Sequence, residues 1–195
     1  ATPANSSTRP VPLRTVVNCE DLSQIIQLGF DELAELALWD RHVPCEIERA
    51  FSDTDFSYLP DFRVDGSAQT VVKRLLSFLS RQNWDVLITC QIVSDLVQIV
   101  GLTSKLDPDY TVRLEYIDDE ACSKFHKDET DIRLMCTYVG RGTQWMRRPV
   151  GNQHEKVHEL SAMQMVMLRG ERPGQKGEIL HRSPPLKKGE ESRLL

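Results

Sequence analysis

A chain of 195 residues suits one domain, or a helical front half packed on a β back half. At 40% hydrophobic and 27% charged it has enough apolar material for a core and is not disordered throughout. No uninterrupted apolar run reaches the ~18 residues of a membrane span, and the N-terminus lacks the basic-then-apolar pattern of a secretory signal.

Five cysteines, Cys19, Cys45, Cys90, Cys122 and Cys136, are an odd and widely spaced set without a C-x-x-C. They make neither a disulfide framework nor a zinc ribbon, so reduced thiols in a cytoplasmic protein are expected. The net charge of −5 hides an asymmetry. Residues 1–120 carry 10 basic and 20 acidic side chains, and residues 121–195 carry 14 and 9, so −10 faces +5. A basic half lowers the cost of holding an anion; two halves that simply attract one another account for it equally well.

The opening ATPANSSTRP is small, polar and Pro-bearing, and residues 1–20 are expected to be disordered or extended. Asp21–Trp39 predicts a helix, with Leu22, Ile25, Ile26, Phe30, Leu33 and Leu36 at spacings of three and four. Ser52–Ser67, rich in Asp, Ser, Pro and Gly, predicts a loop. Two further helices follow, over Ala68–Ser80 and over Val86–Val100, the second stopped by Gly101. After Asp107-Pro108 the period becomes two. Tyr110–Ile117 alternates as a half-buried strand, and Ile132–Val139, Thr143–Met146, Met163–Leu168, Ile179–Ser183 and Arg193–Leu195 are further strand-like runs between Gly and Pro turns. The reading is α+β: a helical part over 21–107 packed on a β-rich part over 108–195, the latter a jelly-roll or cupin-like double-stranded β-helix.

Two histidine motifs compete. His126-Lys127-Asp128, with the distant His181, supplies two imidazoles and one carboxylate, the facial set that leaves half of a metal's coordination sphere open. H-x-D alone is nearly uninformative, since a chain of this composition contains roughly one by chance. His154-Glu155-Lys156-Val157-His158 is a literal H-E-x-x-H, which arises by chance in about one such sequence in a hundred. A zinc peptidase needs its two histidines, here His154 and His158, on one face of a buried helix with Glu155 as general base. Gly151-Asn152-Gln153 offers no apolar turn before it, and Lys156 puts a charge where that helix is apolar.

The series Arg113-Leu114-Glu115, Asp118-Asp119-Glu120-Ala121-Cys122, Phe125-His126-Lys127-Asp128, Cys136-Thr137-Tyr138, Gly142-Thr143-Gln144-Trp145 and His181-Arg182-Ser183-Pro184-Pro185 resembles a bacterial family of domains of unknown function. Leu38-Trp39-Asp40-Arg41 extends the resemblance upstream. More distantly, the order of elements is similar to that of the Fe(II)/2-oxoglutarate oxygenases. That similarity implies a metal held by His126, Asp128 and His181, a C–H-oxidising activity, and a 2-oxoglutarate carboxylate paired with Arg193, a residue suited to bidentate bonding. Leu195 stands where that family often has a hydroxyl residue.

Zinc or manganese in a non-catalytic, cupin-like site of metal homeostasis or sensing is the alternative, because these ligands do not select one metal. Arg133 and Tyr138 are candidate lining residues for the cosubstrate, against a solvated arginine and a core aromatic. Cys122 and Cys136 are candidate soft ligands, against core thiols. Arg141, Arg147 and Arg148 around Trp145 form a small basic patch, but three arginines at a turn in an acidic chain argue against nucleic acid as partner.

Overall fold

A computed structural model describes residues 14–106, 108–119, 123–151, 153–171, 174, 176–187 and 191–195. The expected frayed start therefore falls outside the described residues up to position 13, as do Asp107, Cys122, Lys188 and Gly189. In chain order the elements are β1 (Arg14–Cys19), α1 (Leu22–Phe30), β2 (Ala34–Trp39), α2 (Cys45–Ser52), β3 (Phe62–Gly66), α3 (Ala68–Leu79) and α4 (Val86–Thr103). Then come β4 (Tyr110–Leu114), β5 (Tyr116–Ile117), β6 (Ile132–Cys136), β7 (Gln144–Arg147), β8 (His158–Glu159), β9 (Met165–Arg169), β10 (Ile179–Arg182) and β11 (Arg193–Leu194). The described residues thus form a mixed α/β fold of four helices and several small sheets.

The single helix expected over Asp21–Trp39 is instead a helix and a strand. Asp21 caps α1 by accepting from the Gln24 amide. Glu32 then turns to φ 61°, Leu33 N donates to Leu28 O at 3.0 Å, and Glu32 N donates to Gly29 O at 3.3 Å. This pair of bonds is a Schellman close. Beyond it Ala34–Trp39 runs between β1, parallel, and β9, antiparallel. Ala, Glu and Leu favour helix in isolation, but burial on both faces of a sheet overrides that weak preference. The loop expected over Ser52–Ser67 contains β3, which pairs antiparallel with β4. Helix α4 continues through Gly101, which is exposed and meets no neighbour that would force a stop. By length and composition α4 is apolar enough to cross a membrane; here it lies against α1, α2 and α3 and buries Asp95 in an ion pair with Arg41.

The main sheet has the order β1-β2-β9-β6, and a second has the order β10-β7-β8. Strand β9 explains the layering. Met165 and Met167 enter a core shared with Ile25 of α1, Leu75 and Leu79 of α3 and Ile88 of α4. Val166 and Leu168 face the other way, onto Leu36, Leu38 and Ile179, with Met135 and Trp145 packed against them. Each such fully buried side chain contributes roughly 1.5–3 kcal/mol. Helices therefore cover one face of the main sheet, and the second sheet covers the other.

Candidate metal centre

His126 and His181 face one another across an antiparallel bridge, each amide donating to the other's carbonyl at 2.9 Å. Directly opposed residues of such a pair put their side chains on the same face, and the two imidazole centroids are 4.7 Å apart. In extended chain the step from 126 to 128 restores the face, so Asp128 joins them. Its Oδ1 is 3.8 Å from His126 Nε2 and its Oδ2 is 3.4 Å from His181 Nε2. One ligand atom from each of the three lies within 4.8 Å of the others, and Asp128 and His181 are buried. The Asp128 loop is fixed to the segment that leaves β9: Glu171 N donates to Asp128 O at 2.8 Å. A side chain on Gly170 would collide with the backbone oxygens of Thr130 and Asp128.

The donor chemistry fits a cation. His126 Nδ1 stands 2.8 Å from Lys124 O, which assigns the ring proton to Nδ1 and leaves the Nε2 lone pair facing Asp128. Asp128 Oδ2 and His181 Nε2 are buried without hydrogen-bond partners. Donors about 2.1 Å from an ion lie roughly 3–4 Å apart, so modest side-chain rotation closes the set. Burial opposes the charge on Asp128, yet His181, Arg133 and His126 together hold its carboxyl below the usual range. Arg133, half exposed, brings Nε to 3.0 Å from Asp128 Oδ2, so its anion is the triad's own carboxylate.

Arg193 is completely buried. Nη2 donates to Thr137 Oγ1 and Thr143 Oγ1, both at 3.0 Å, whereas Nε and Nη1 have no partner. Burial brings its pKa down to about 10, opposed only by the charge of Glu159. Thr143 lies two residues before Trp145, which pairs with His181, so the alternation of β7 turns Arg193's partner to the side that carries His181.

Tyr138 takes no part in this set. Its hydroxyl donates to Asp95 Oδ2 at 2.8 Å and its ring stacks on Phe51, within the helix-facing core. Cys136, two residues earlier on the same face, accepts from Arg41; Cys122 lies outside the described residues. The H-E-x-x-H segment is a correction: the described residues between 153 and 157 form no helix, His154 is exposed, and His158 lies in β8 stacked on Trp145 at 4.2 Å. The pairing of β8 with β7 holds this segment extended, so the peptidase arrangement of His154, Glu155 and His158 is absent. The basic patch is committed internally, Arg141 to Glu159, Arg147 to Glu178 and Arg148 to Gly177 O. Thr137 and Thr143, and the Glu35–Lys127 pair, carry no spacing signal of their own; each is defined by what it meets in the fold.

A similar solved structure is the dioxygenase for auxin oxidation 1 from Arabidopsis thaliana, in a binary complex with 2-oxoglutarate. It has a TM-score of 0.52 and 11% identity, covering 93% of this chain and 91% of that one. At that identity the likeness is one of fold. Among curated proteins none matches the chain. The family model described as "Protein of unknown function (DUF1826)" matches residues 18–195, and the chain belongs to that family.

Proposed function

We propose that this chain is a metal-dependent oxygenase on a double-stranded β-helix, with Fe(II) held by His126, Asp128 and His181 and 2-oxoglutarate anchored by Arg193. One observation carries the reading. Among the described residues, the buried side-chain atoms that make no hydrogen bond are Asp128 Oδ2 (in ionic contact with Arg133 Nε at 3.0 Å), His181 Nε2, Arg193 Nε and Arg193 Nη1. Buried polar atoms left without a hydrogen bond are costly and need a reason. A cation answers the first two and an anion the last two.

Bound at this site, iron and 2-oxoglutarate would supply the oxidising power, coupling loss of carbon dioxide from the oxo acid to oxidation of a substrate C–H bond. The protein's part is positional. His126 and His181 present neutral imidazole nitrogens, and Asp128 supplies the charge. Arg193 offers a desolvated guanidinium on the level of Thr143, and two residues along β7 is about 7 Å, the order of reach of a five-carbon dicarboxylate. Leu36, Leu38, Val166, Leu168 and Ile179 keep water from the space between the sheets.

The test is metal analysis of anaerobically prepared protein followed by 2-oxoglutarate-dependent succinate production. Iron with turnover is the expected result. Tight zinc without turnover would replace this reading with the non-catalytic zinc protein, and absence of any bound metal would remove both.

A further inference from the structure

We infer that the buried Glu35–Lys127 ion pair is a positioning device that holds the two ligand-bearing segments in register. The inference rests on the reading of His126, Asp128 and His181 as a metal site. Lys127 stands between two of those ligands, and the alternation that aligns His126 with Asp128 turns Lys127 to the opposite side. There its Nζ meets Glu35 Oε2 at 2.9 Å, with the two side chains 4% and 6% exposed. The same carboxylate reaches the third ligand's strand. Glu35 Oε1 accepts from Glu178 N and Oε2 from Ile179 N, both at 3.0 Å, and His181 follows two residues later on β10.

Three features argue against an incidental salt bridge. Glu35 belongs to β2, hydrogen-bonded on both sides within the main sheet, so it is a stiff anchor. The neighbouring segment is shaped around the pair: a Cβ at Gly177 would collide with Lys127 Nζ and stand 2.8 Å from Glu35 Oε2. Finally, a buried ion pair recovers little net stability over apolar residues of similar volume. What charge and directed hydrogen bonds add is a specified geometry. Burial alone would raise the Glu35 pKa, but the two amides and Lys127 together bring it below the ordinary value.

The experiment titrates Co(II) alone into the wild type, Glu35→Gln, Lys127→Met, the Glu35→Leu/Lys127→Met double variant and His181→Ala. Affinity and the Co(II) absorption spectrum are read on protein shown to be folded by circular dichroism. The wild type should bind and His181→Ala should not. The double variant, in which Glu178 N and Ile179 N lose their acceptor, should stay folded but melt below the wild type without metal. It should bind Co(II) about 10–100-fold more weakly and with an altered spectrum, as for other residues that orient ligands from behind. If the double variant fails to fold, Glu35→Gln carries the same comparison. Wild-type affinity and spectrum in the folded variants would overturn the inference while leaving the site intact. Equal binding by wild type and His181→Ala, or none by either, would overturn the site and the inference with it.

Discussion

Asp128 Oδ2 stands 3.4 Å from His181 Nε2, and neither atom has a hydrogen-bond partner. An ion that satisfies both binds the folded state alone, because the unfolded chain does not assemble the triad. Free metal at 100 times its dissociation constant then adds about 2.7 kcal/mol. For a chain of this length that is a rise of roughly 5–10 °C in Tm. Scanning calorimetry with and without Mn(II) or Zn(II) should show it, and His181→Ala should abolish it.

Arg193 presents an unusual balance, a fully buried guanidinium with two hydroxyl partners, two nitrogens that make no hydrogen bond and, as counter-charge, only the field of Glu159. Replacing it by methionine removes a desolvated charge, and removing such charges in favour of apolar groups is often neutral or stabilising by about 1–4 kcal/mol. Arg193→Met should therefore unfold at the same urea concentration as the ligand-free wild type or a higher one. On the proposed function, 2-oxoglutarate should protect the wild type and not Arg193→Met. A loss of several kcal/mol would make the arginine structural.

The juxtaposition of the candidate ligands was partly legible because His126 and Asp128 obey a two-residue period. His126 and Asp128 flank Lys127 on one face, and the β-type runs at 132–139, 163–168 and 179–183 coincide with β6, β9 and β10 to within a few residues. What stayed hidden depends on partners far along the chain. Ala34–Trp39 has helical composition and becomes strand because β1 and β9 flank it. Glu35 and Lys127 are, in sequence, two ordinary surface residues; only the fold brings them together. The H-E-x-x-H had the rarer pattern and the wrong backbone, since its meaning requires a helix that pairing with β7 forbids.

That contrast gives a direct test. His154→Ala should leave metal content and Tm unchanged within error, since His154 is exposed and outside the triad. His158→Ala should also retain metal, but at a stability cost of about 0.5–1.5 kcal/mol from the lost stack on Trp145. Zinc binding that disappears with His154→Ala would restore the peptidase arrangement.

The last prediction concerns the opposite face of β6. Arg41 holds Asp95 with both terminal nitrogens, at 2.5 and 2.9 Å, and also reaches Cys136 Sγ at 3.4 Å; Tyr138 completes the Asp95 shell. Tyr138→Phe should cost about 1–3 kcal/mol for the acceptor left short of a donor. Asp95→Ala should cost about 3–5, because it strands a buried guanidinium. Burial is the largest influence on the Cys136 thiol and raises its pKa from 9.0 to about 12. The folded state therefore keeps a proton that the unfolded state gives up. This contribution is fully present below pH 9 and drains away as the pH climbs toward 12, the loss reaching about 1.4 kcal/mol by pH 10. Urea unfolding at pH 8 and pH 10 should show a decline that Cys136→Ala reduces. A thiol reagent at pH 8 should label the exposed Cys45 and Cys90 at least about 100-fold faster than the buried Cys136. Equal labelling rates would mean that the Arg41–Asp95 layer opens freely.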